Sequence, residues 1–441
     1  MKKLSVSRVA AGTAILLLLA TVGCKKSQEE TVYDPFNTGS STRNQIVVIS
    51  DIHLGADLSY AECKANVGPL TELLGKIRSS QNVKELVIAG DLVDEWFVPA
   101  TTDTYQGKDQ ADFVERVATA NKTVFDQLNA IITDGIIKVT YVPGNHDLTV
   151  SGENIDNILP GVNQARDAGL LGLGTYSPEN QPQIAIEHGH RYNIFCAPDP
   201  ISNQAVAPGT ILPPGYFYTR IAALHVVQNC TVPTDSVPVV TPDPSGGTSQ
   251  QLLYGYWQFW NSSLGAFPIT NHFSDKMIVT NVNNFTGNFS VDDVLPYQST
   301  PGSTLSVTLY NGIQDTWPQR CLANNVPVAI STEYSIANPS EHQAIDTMAM
   351  VQYFMNPLSD VRLVVFGHTH FPMVQSGVNH AGQKAVYVNS GTWIDQNPKL
   401  TTMNFVIITP QNSDPASQTQ VSLYNYQGGT CNAMQKETLR F

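Results

Sequence analysis

Leu363-Val364-Val365-Phe366 leads directly into Gly367-His368-Thr369-His370. The apolar run reads as a buried strand, and Gly367 ends its pattern abruptly. The two histidines can then project from the loop at the strand's carboxyl end, where open α/β sheets place their ligands. A single His-x-His pair is more often a polar loop than a metal site. Its meaning changes because the same arrangement recurs along the chain.

Four other apolar runs end in residues of the metal-ligand type. Ile46-Val47-Val48-Ile49 leads into Asp51-Ile52-His53, and Leu86-Val87-Ile88 into Gly90-Asp91-Leu92-Val93-Asp94. Val139-Thr140-Tyr141-Val142 leads through Pro143 into Gly144-Asn145-His146-Asp147, and Ile184-Ala185-Ile186 into Glu187-His188-Gly189-His190. In order, the five segments read D-x-H, G-D-x-x-D, G-N-H-D, H-G and G-H-x-H. This set resembles the calcineurin-like metallophosphoesterase family, whose pattern it carries without a substitution.

The chemistry explains the residue types. Attacking and leaving oxygens of a phosphate ester both carry charge in the transition state, and two dications neutralise that charge while generating hydroxide near neutral pH. Such a site needs mixed oxygen and imidazole ligands and one carboxylate able to bridge. The resemblance implies that Asp51, His53, Asp91 and His370 hold a first metal ion and that Asp91, Asn145, His188 and His368 hold a second. Asp91 is then the bridge, and Gly90 before it lets the backbone approach a crowded site. The mixed ligand set suits Mn, Fe, Zn or Mg, and affinity order alone rarely decides among them.

His146 is implied to be the general acid for the leaving alkoxide rather than a ligand, a task suited to a group titrating near neutrality. Asp94 is implied to be the carboxylate that orients it. His188 rather than His190 takes the ligand role because the family's histidine stands immediately before a glycine. His190 and Arg191 are candidates for contact with substrate phosphate, and Asp147 for fixing its loop through backbone hydrogen bonds.

The implied fold is a four-layer α/β/β/α sandwich with two facing sheets and a large insertion. The implied reaction is hydrolysis of a phosphomonoester or phosphodiester by in-line attack of a metal-bridging hydroxide. Gly90 to Trp96 also resembles the UDP-diacylglucosamine pyrophosphohydrolases of the same fold, so a UDP-sugar-lipid or nucleotide pyrophosphohydrolase is the alternative reaction. The alternative of another class is a non-catalytic envelope protein that binds glycan or a partner. It would be expected to have lost ligands, and none is missing.

Composition sets the frame. The chain has 441 residues, 42% of them hydrophobic, enough for one large domain or two. Its formal charge of −13 becomes −16 without the first 23 residues, which hold Lys2, Lys3 and Arg8 and no acid. That balance argues against nucleic-acid binding through a basic surface, so an anionic ester would have to be drawn by local metal charge.

Residues 1–23 have the basic start, the apolar run Val9 to Val22 and the small Gly23 of a secretory signal. Cys24 follows directly, and the segment resembles a bacterial lipoprotein signal, departing from it at Thr21. The expectation is a lipid on Cys24 and residence in the cell envelope, anchored in the outer membrane or on a periplasmic face. Cys63, Cys196, Cys230, Cys321 and Cys431 then remain, without zinc-ribbon spacing and odd in number, so at least one thiol stays free.

Residues 24–44 read as a polar tether, 45–199 as the first part of the core, 200–340 as an insertion and 341–441 as the second part of the core. Leu70, Leu73, Leu74 and Ile77 recur at helical spacing within Pro69 to Ser79, and a strand from Glu85 follows. That succession implies a parallel βαβ unit. One long helix is expected over Gln110 to Thr133, a strand from Ile136, a helix over Ile155 to Gly169 and a strand from Gln183. A helix from Glu341 to Met355 and strands at Ala385, Asn404 and Val421 complete the expectation.

Within the insertion, Pro213-Pro214-Gly215 and Asp243-Pro244-Ser245-Gly246-Gly247 read as turns. Tyr254-Gly255-Tyr256-Trp257-Gln258-Phe259-Trp260 is too aromatic for a linker and is expected to pack the insert's own core or to wall the metal site. His225, His272, His342 and His380 read as structural or exposed, with His272 the one candidate among them for reaching the cleft. Asn389-Ser390-Gly391-Thr392-Trp393 also resembles a family segment but suggests no ligand role.

Overall fold

Alternation within each apolar run decides which way its side chains face, and two sheets result. The computed structural model describes residues 34–441 apart from 170–171, 339–341, 399 and 415. The expected export signal and Cys24 lie outside the described residues.

Strands β1 (Gln45–Ile49), β2 (Val83–Ala89), β3 (Lys138–Val142) and the short β4 (Asn163–Gln164) run parallel, while β5 (Ile184–Ile186) belongs to the second sheet. The insertion adds two hairpins, β6 (Ile278–Val282) with β7 (Phe285–Phe289) and β8 (Tyr297–Gln298) with β9 (Leu305–Ser306). The chain then returns through β10 (Leu363–Phe366), β11 (Met373–Val378), β12 (Lys384–Asn389), β13 (Asn404–Thr409), β14 (Thr419–Gln427) and β15 (Thr430–Leu439).

The seven-stranded sheet has the order β15-β14-β13-β1-β2-β3-β4, and the four-stranded one β11-β12-β10-β5. One face of each meets the other: Ile46, Val48, Val87 and Val142 share an apolar cluster with Ile186, Leu363, Val365 and Val388. The opposite face of the large sheet, with Val47, Ile49, Leu86 and Ile88, packs on helices. The order of layers is therefore α/β/β/α, the metallophosphoesterase fold, carrying a large insertion.

Helix α1 (Val67–Ser79) buries Leu70, Leu73, Leu74 and Ile77, the residues whose spacing predicted it. The expected long helix is two, α2 (Gln110–Ala120) and α3 (Lys122–Asp134). They break at Asn121, whose side-chain amide donates to Val117 O and across to Gly55 O at 2.9 Å each, which favours a non-helical backbone there. The helix expected over Ile155 to Gly169 is confined to α4 (Gly152–Ile158), after which the chain turns into β4.

Pro213-Pro214-Gly215 is not a turn but the start of α5 (Pro214–Gln228), with Pro214 in the first turn, where a missing N–H costs nothing. The aromatic run lies on α6 (Gly247–Ala266). The last expected helix begins as α-helix at His342–Ala349 and continues as a π-turn at Met350–Phe354. Strands β11 and β15 escape prediction because nearly all of their residues are exposed or half-buried, as at sheet edges, and show no buried apolar run. All five described cysteines are free thiols.

The parallel strands of each sheet place their carboxyl ends together, and the five ligand segments follow β1, β2, β3, β5 and β10.

Candidate metal centre

The turns after β1, β2 and β10 are bent to an unusual degree. Asp51, His53, Asp91, His368 and His370 all have positive φ, between 52° and 67°. For non-glycine residues such backbones cost about 1–3 kcal/mol each and persist only where the surroundings impose them. Here the loops after β1 and β2 lock together: Ile52 N and His53 N both donate to Asp91 O at 2.9 Å, and Asp51 N donates to Gly90 O. Two glycines are needed for contact. A Cβ on Gly90 would lie 2.4 Å from His188 Nδ1, and one on Gly144 would lie 2.1 Å from Asp91 Oδ1.

The side chains converge. His370 Nε2 is 3.2 Å from Asp51 Oδ1 and 3.2 Å from His53 Nε2, which is 3.6 Å from Asp91 Oδ2. His188 Nε2 is 3.0 Å from that same Asp91 oxygen, 3.1 Å from Asn145 Oδ1 and 3.9 Å from Asp51 Oδ1. The His368 ring lies 5.2 Å from that of His188, and its backbone N–H donates to Asp51. Asp51, His53 and His370 form one group with metal-holding spacing, and Asp51, Asp91 and His188 another.

The hydrogen bonding fits cations. His188 Nδ1 sits 2.9 Å from Ala89 O and donates to it, and His53 Nδ1 sits 3.1 Å from Asp94 Oδ2. Each neutral ring therefore turns the Nε2 lone pair toward the Asp91 carboxylate, acceptor against acceptor, unless a positive charge stands between. Protons can fill that need. Burial opposes charge on His53, yet Asp94, Glu62 and Asp91 carry its pKa up to about 10. Burial likewise opposes charge on His188, and Asp91 and Asp51 raise it to about 9. His368 goes the other way, lowered to about 3 by burial and the neighbouring His188. A donor set of carboxylate, amide and imidazole with this demand for positive charge suits divalent ions.

His146 lies in a third group of such spacing, with His53, Glu62 and Asp94, its ring centroid 4.4 Å from that of His53. Its Nδ1 lies 2.9 Å from Asp94 Oδ1, its ring stacks on Trp96 with centroids 5.1 Å apart, and its backbone N–H donates to Asp91. Asp94 thus touches two imidazoles, since its other oxygen meets His53. The carboxylate is held well below its usual pKa: burial alone would raise it, but the charges and hydrogen bonds of His146 and His53 together outweigh burial. Asp147 accepts from Gly144 N at 2.6 Å and Leu92 N at 2.8 Å, fixing the loop as its type predicts.

Two candidates are corrected. Neither His190 nor Arg191 is available to a phosphate. His190 is buried, its Nε2 2.8 Å from Gly172 O, and burial with the adjacent His188 lowers its pKa well below the usual value. Arg191, also buried, pairs with Glu187 at 2.8 Å and Asp167 at 2.9 Å. His272 is exposed and paired with Asp235, not in the cleft, whereas His342 lines it, stacked on Phe371 and 3.3 Å from Asp346.

Other contributors had little sequence signal. Glu62 lies 3.5 Å from His53 Nδ1, but no apolar run precedes it. In Asn389 to Trp393, the Thr392 hydroxyl and Trp393 N–H both donate to Asp51 O at 2.9 Å, and the Asn389 amide donates to Gly367 O and Thr369 Oγ1. That segment clamps the turns bearing Asp51, His368 and His370.

Residues 45–208 match the family model for the calcineurin-like phosphoesterase. No curated protein matches the chain. The match covers the first four ligand segments, and the fold brings the fifth, beyond it, to the same place. Together they support the metallophosphoesterase family and, in general terms, a metal-dependent phosphoesterase.

Proposed function

We propose that the chain is a dinuclear metal-dependent hydrolase of phosphomonoesters or phosphodiesters. The observation that carries this is one oxygen, Asp91 Oδ2, lying 3.0 Å from His188 Nε2 and 3.6 Å from His53 Nε2, at the junction of two groups of ligands. In this reading Asp51, His53 and His370 share Asp91 with Asn145, His188 and His368. Divalent ions held there, drawn from Mn, Fe, Zn or Mg, would acidify a water and supply positive charge beside the phosphoryl oxygens.

The remaining work belongs to the chain's own groups. Asp94 accepts from His146 Nδ1 and fixes the ring, so that the opposite nitrogen delivers its proton to the departing oxygen. Trp96 holds the other face of that ring. The test is turnover of aryl phosphate, bis-aryl phosphate, nucleotides, glycerophosphodiesters and sugar nucleotides by purified, Mn²⁺-loaded protein, with loss on chelation and recovery on adding Mn²⁺ back. No turnover of any of them by fully loaded protein overturns the reading.

We also propose export and a lipid anchor on Cys24, supported by the basic start, the apolar run and the Gly23-Cys24 junction. Wild-type protein should partition into detergent and take up labelled fatty acid, and Cys24→Ser should do neither. Incorporation of label by Cys24→Ser would refute the anchor.

A further inference from the structure

The cleft over the ligand cluster has a second wall, and the motifs say nothing of it. Most rings of the aromatic run on α6 look into the insertion. Tyr256 and Trp260 are fully buried, Trp257 is buried with its indole N–H donating to Pro238 O, and Tyr254 stacks on Trp257. Phe259 is different. It is half-buried and lines the same cleft as Asp91, Asn145, His146, His368 and His370, a cavity of about 280 Å³.

Phe259 does not act alone. Its ring centroid lies 3.8 Å from that of Phe195 and 5.9 Å from that of Tyr218, and both of these also line the cleft, with Ile345. The wall is held from behind: Tyr256 stacks flat on Phe195 at 5.5 Å, and Trp260 meets Phe259 edge-on at 5.7 Å. It is therefore set before any ligand arrives, and little ordering cost falls on binding.

The phosphoryl group belongs among the carboxylates and imidazoles, because only they gather positive charge. The carbon side of the ester must then occupy the rest of the cavity, where Trp96, Phe195, Tyr218 and Phe259 stand together with the uncharged Asn193, Thr219 and Ser263. An apolar ring there removes its own surface and that of Phe259 from water and adds aromatic pair contacts. The insertion's buried cations point elsewhere: Arg220 donates to the carbonyls of Val98 and Val279, and Arg320 to those of Ile194 and Ala197.

We infer that the substrates are phosphate esters of an uncharged alcohol bearing an apolar ring, seated against Phe259, Tyr218 and Phe195. This rests on reading the cluster as a phosphoesterase centre and narrows that reading to a class of leaving group.

The test compares 2-phenylethyl phosphate with ethyl phosphate, whose alcohols are of similar acidity, on Mn²⁺-loaded full-length protein. The expected kcat/KM ratio is about tenfold or more in favour of the ring, the scale of burying such a group. In Phe259→Ala the ratio should fall toward one, and in Phe259→Leu it should lie between. A second readout needs no turnover: calorimetric binding of phenylphosphonate and methylphosphonate to the loaded wild type, with the phenyl compound tighter by a similar factor. A ratio near one in wild type, in either measurement, overturns the inference, as does an unchanged ratio in a folded Phe259→Ala protein. Absent turnover with the phosphonate preference intact would instead count against the hydrolase reading alone.

Discussion

Asp91 shows how much one side chain carries. Its carboxylate faces imidazoles from the loops after β1 and β5 and accepts the backbone N–H of His146. Asp91→Asn keeps the shape but removes the charge that the two proposed ion positions would share, so bound metal should fall at both together. Elemental analysis of dialysed protein checks this, and one ion retained per chain would contradict a bridging role. His146 makes the complementary case. It touches Asp94 and Trp96 and stands in the group of His53, Glu62 and Asp94, outside the two groups that hold Asp51. His146→Asn should therefore leave metal content near normal while turnover falls by about a hundredfold or more, as loss of a general acid does. Full activity would remove it from the mechanism. Both residues were legible in the sequence because each lies in a short segment after an apolar run that resembles a family motif. Arg191 was only a candidate for phosphate contact there, and the structure pairs it instead with Glu187 and Asp167.

Among the elements, helix α7 (Val291–Val294) and the longer α8 (Ile313–Ala323) belong to the insertion, and α8 fastens it to the core. From α8, the fully buried Arg320 reaches Asp199 at 3.4 Å and donates to the carbonyls of Ile194 and Ala197, in the segment that follows the His188 turn. Removing one partner of such a pair leaves a buried charge without compensation. Arg320→Met should cost about 3–5 kcal/mol of stability, read as a lower denaturation midpoint. Adding Asp199→Asn should restore part of that loss, and a purely additive double variant would argue against the pair. This was not visible in the sequence, since an arginine on a helix is usually solvated. The break at Asn121 and the helix start at Pro214 were missed for a related reason. Local pattern marks where a backbone can turn, but the side-chain partners that decide it come from elsewhere in the chain.

For the whole molecule, the cluster joins both sheets. Asp51 and Asp91 follow strands of the large sheet, and His188 and His368 follow strands of the small one. Ions that bind only when the sheets are correctly apposed must stabilise the folded state. Raising Mn²⁺ to about a hundredfold above its dissociation constant should add about 2.7 kcal/mol. The melting temperature should climb with Mn²⁺ in the wild type and stay flat in Asp91→Asn. A wild-type melting temperature indifferent to Mn²⁺ and to chelator would deny that the sheets are bridged.

By itself the sequence determined the strand-then-ligand segments, the chemistry of their donors and the buried face of α1, because each of these is a matter of residue type at short spacing. The tertiary structure alone decided which donors meet. His368 N–H reaches Asp51 across 317 positions of chain, and that encounter depends on β10 pairing between β5 and β12 and on two sheets sharing one core. It also decided that Phe259 faces the cleft while its neighbours do not, since the direction of a ring on α6 follows from what packs behind it.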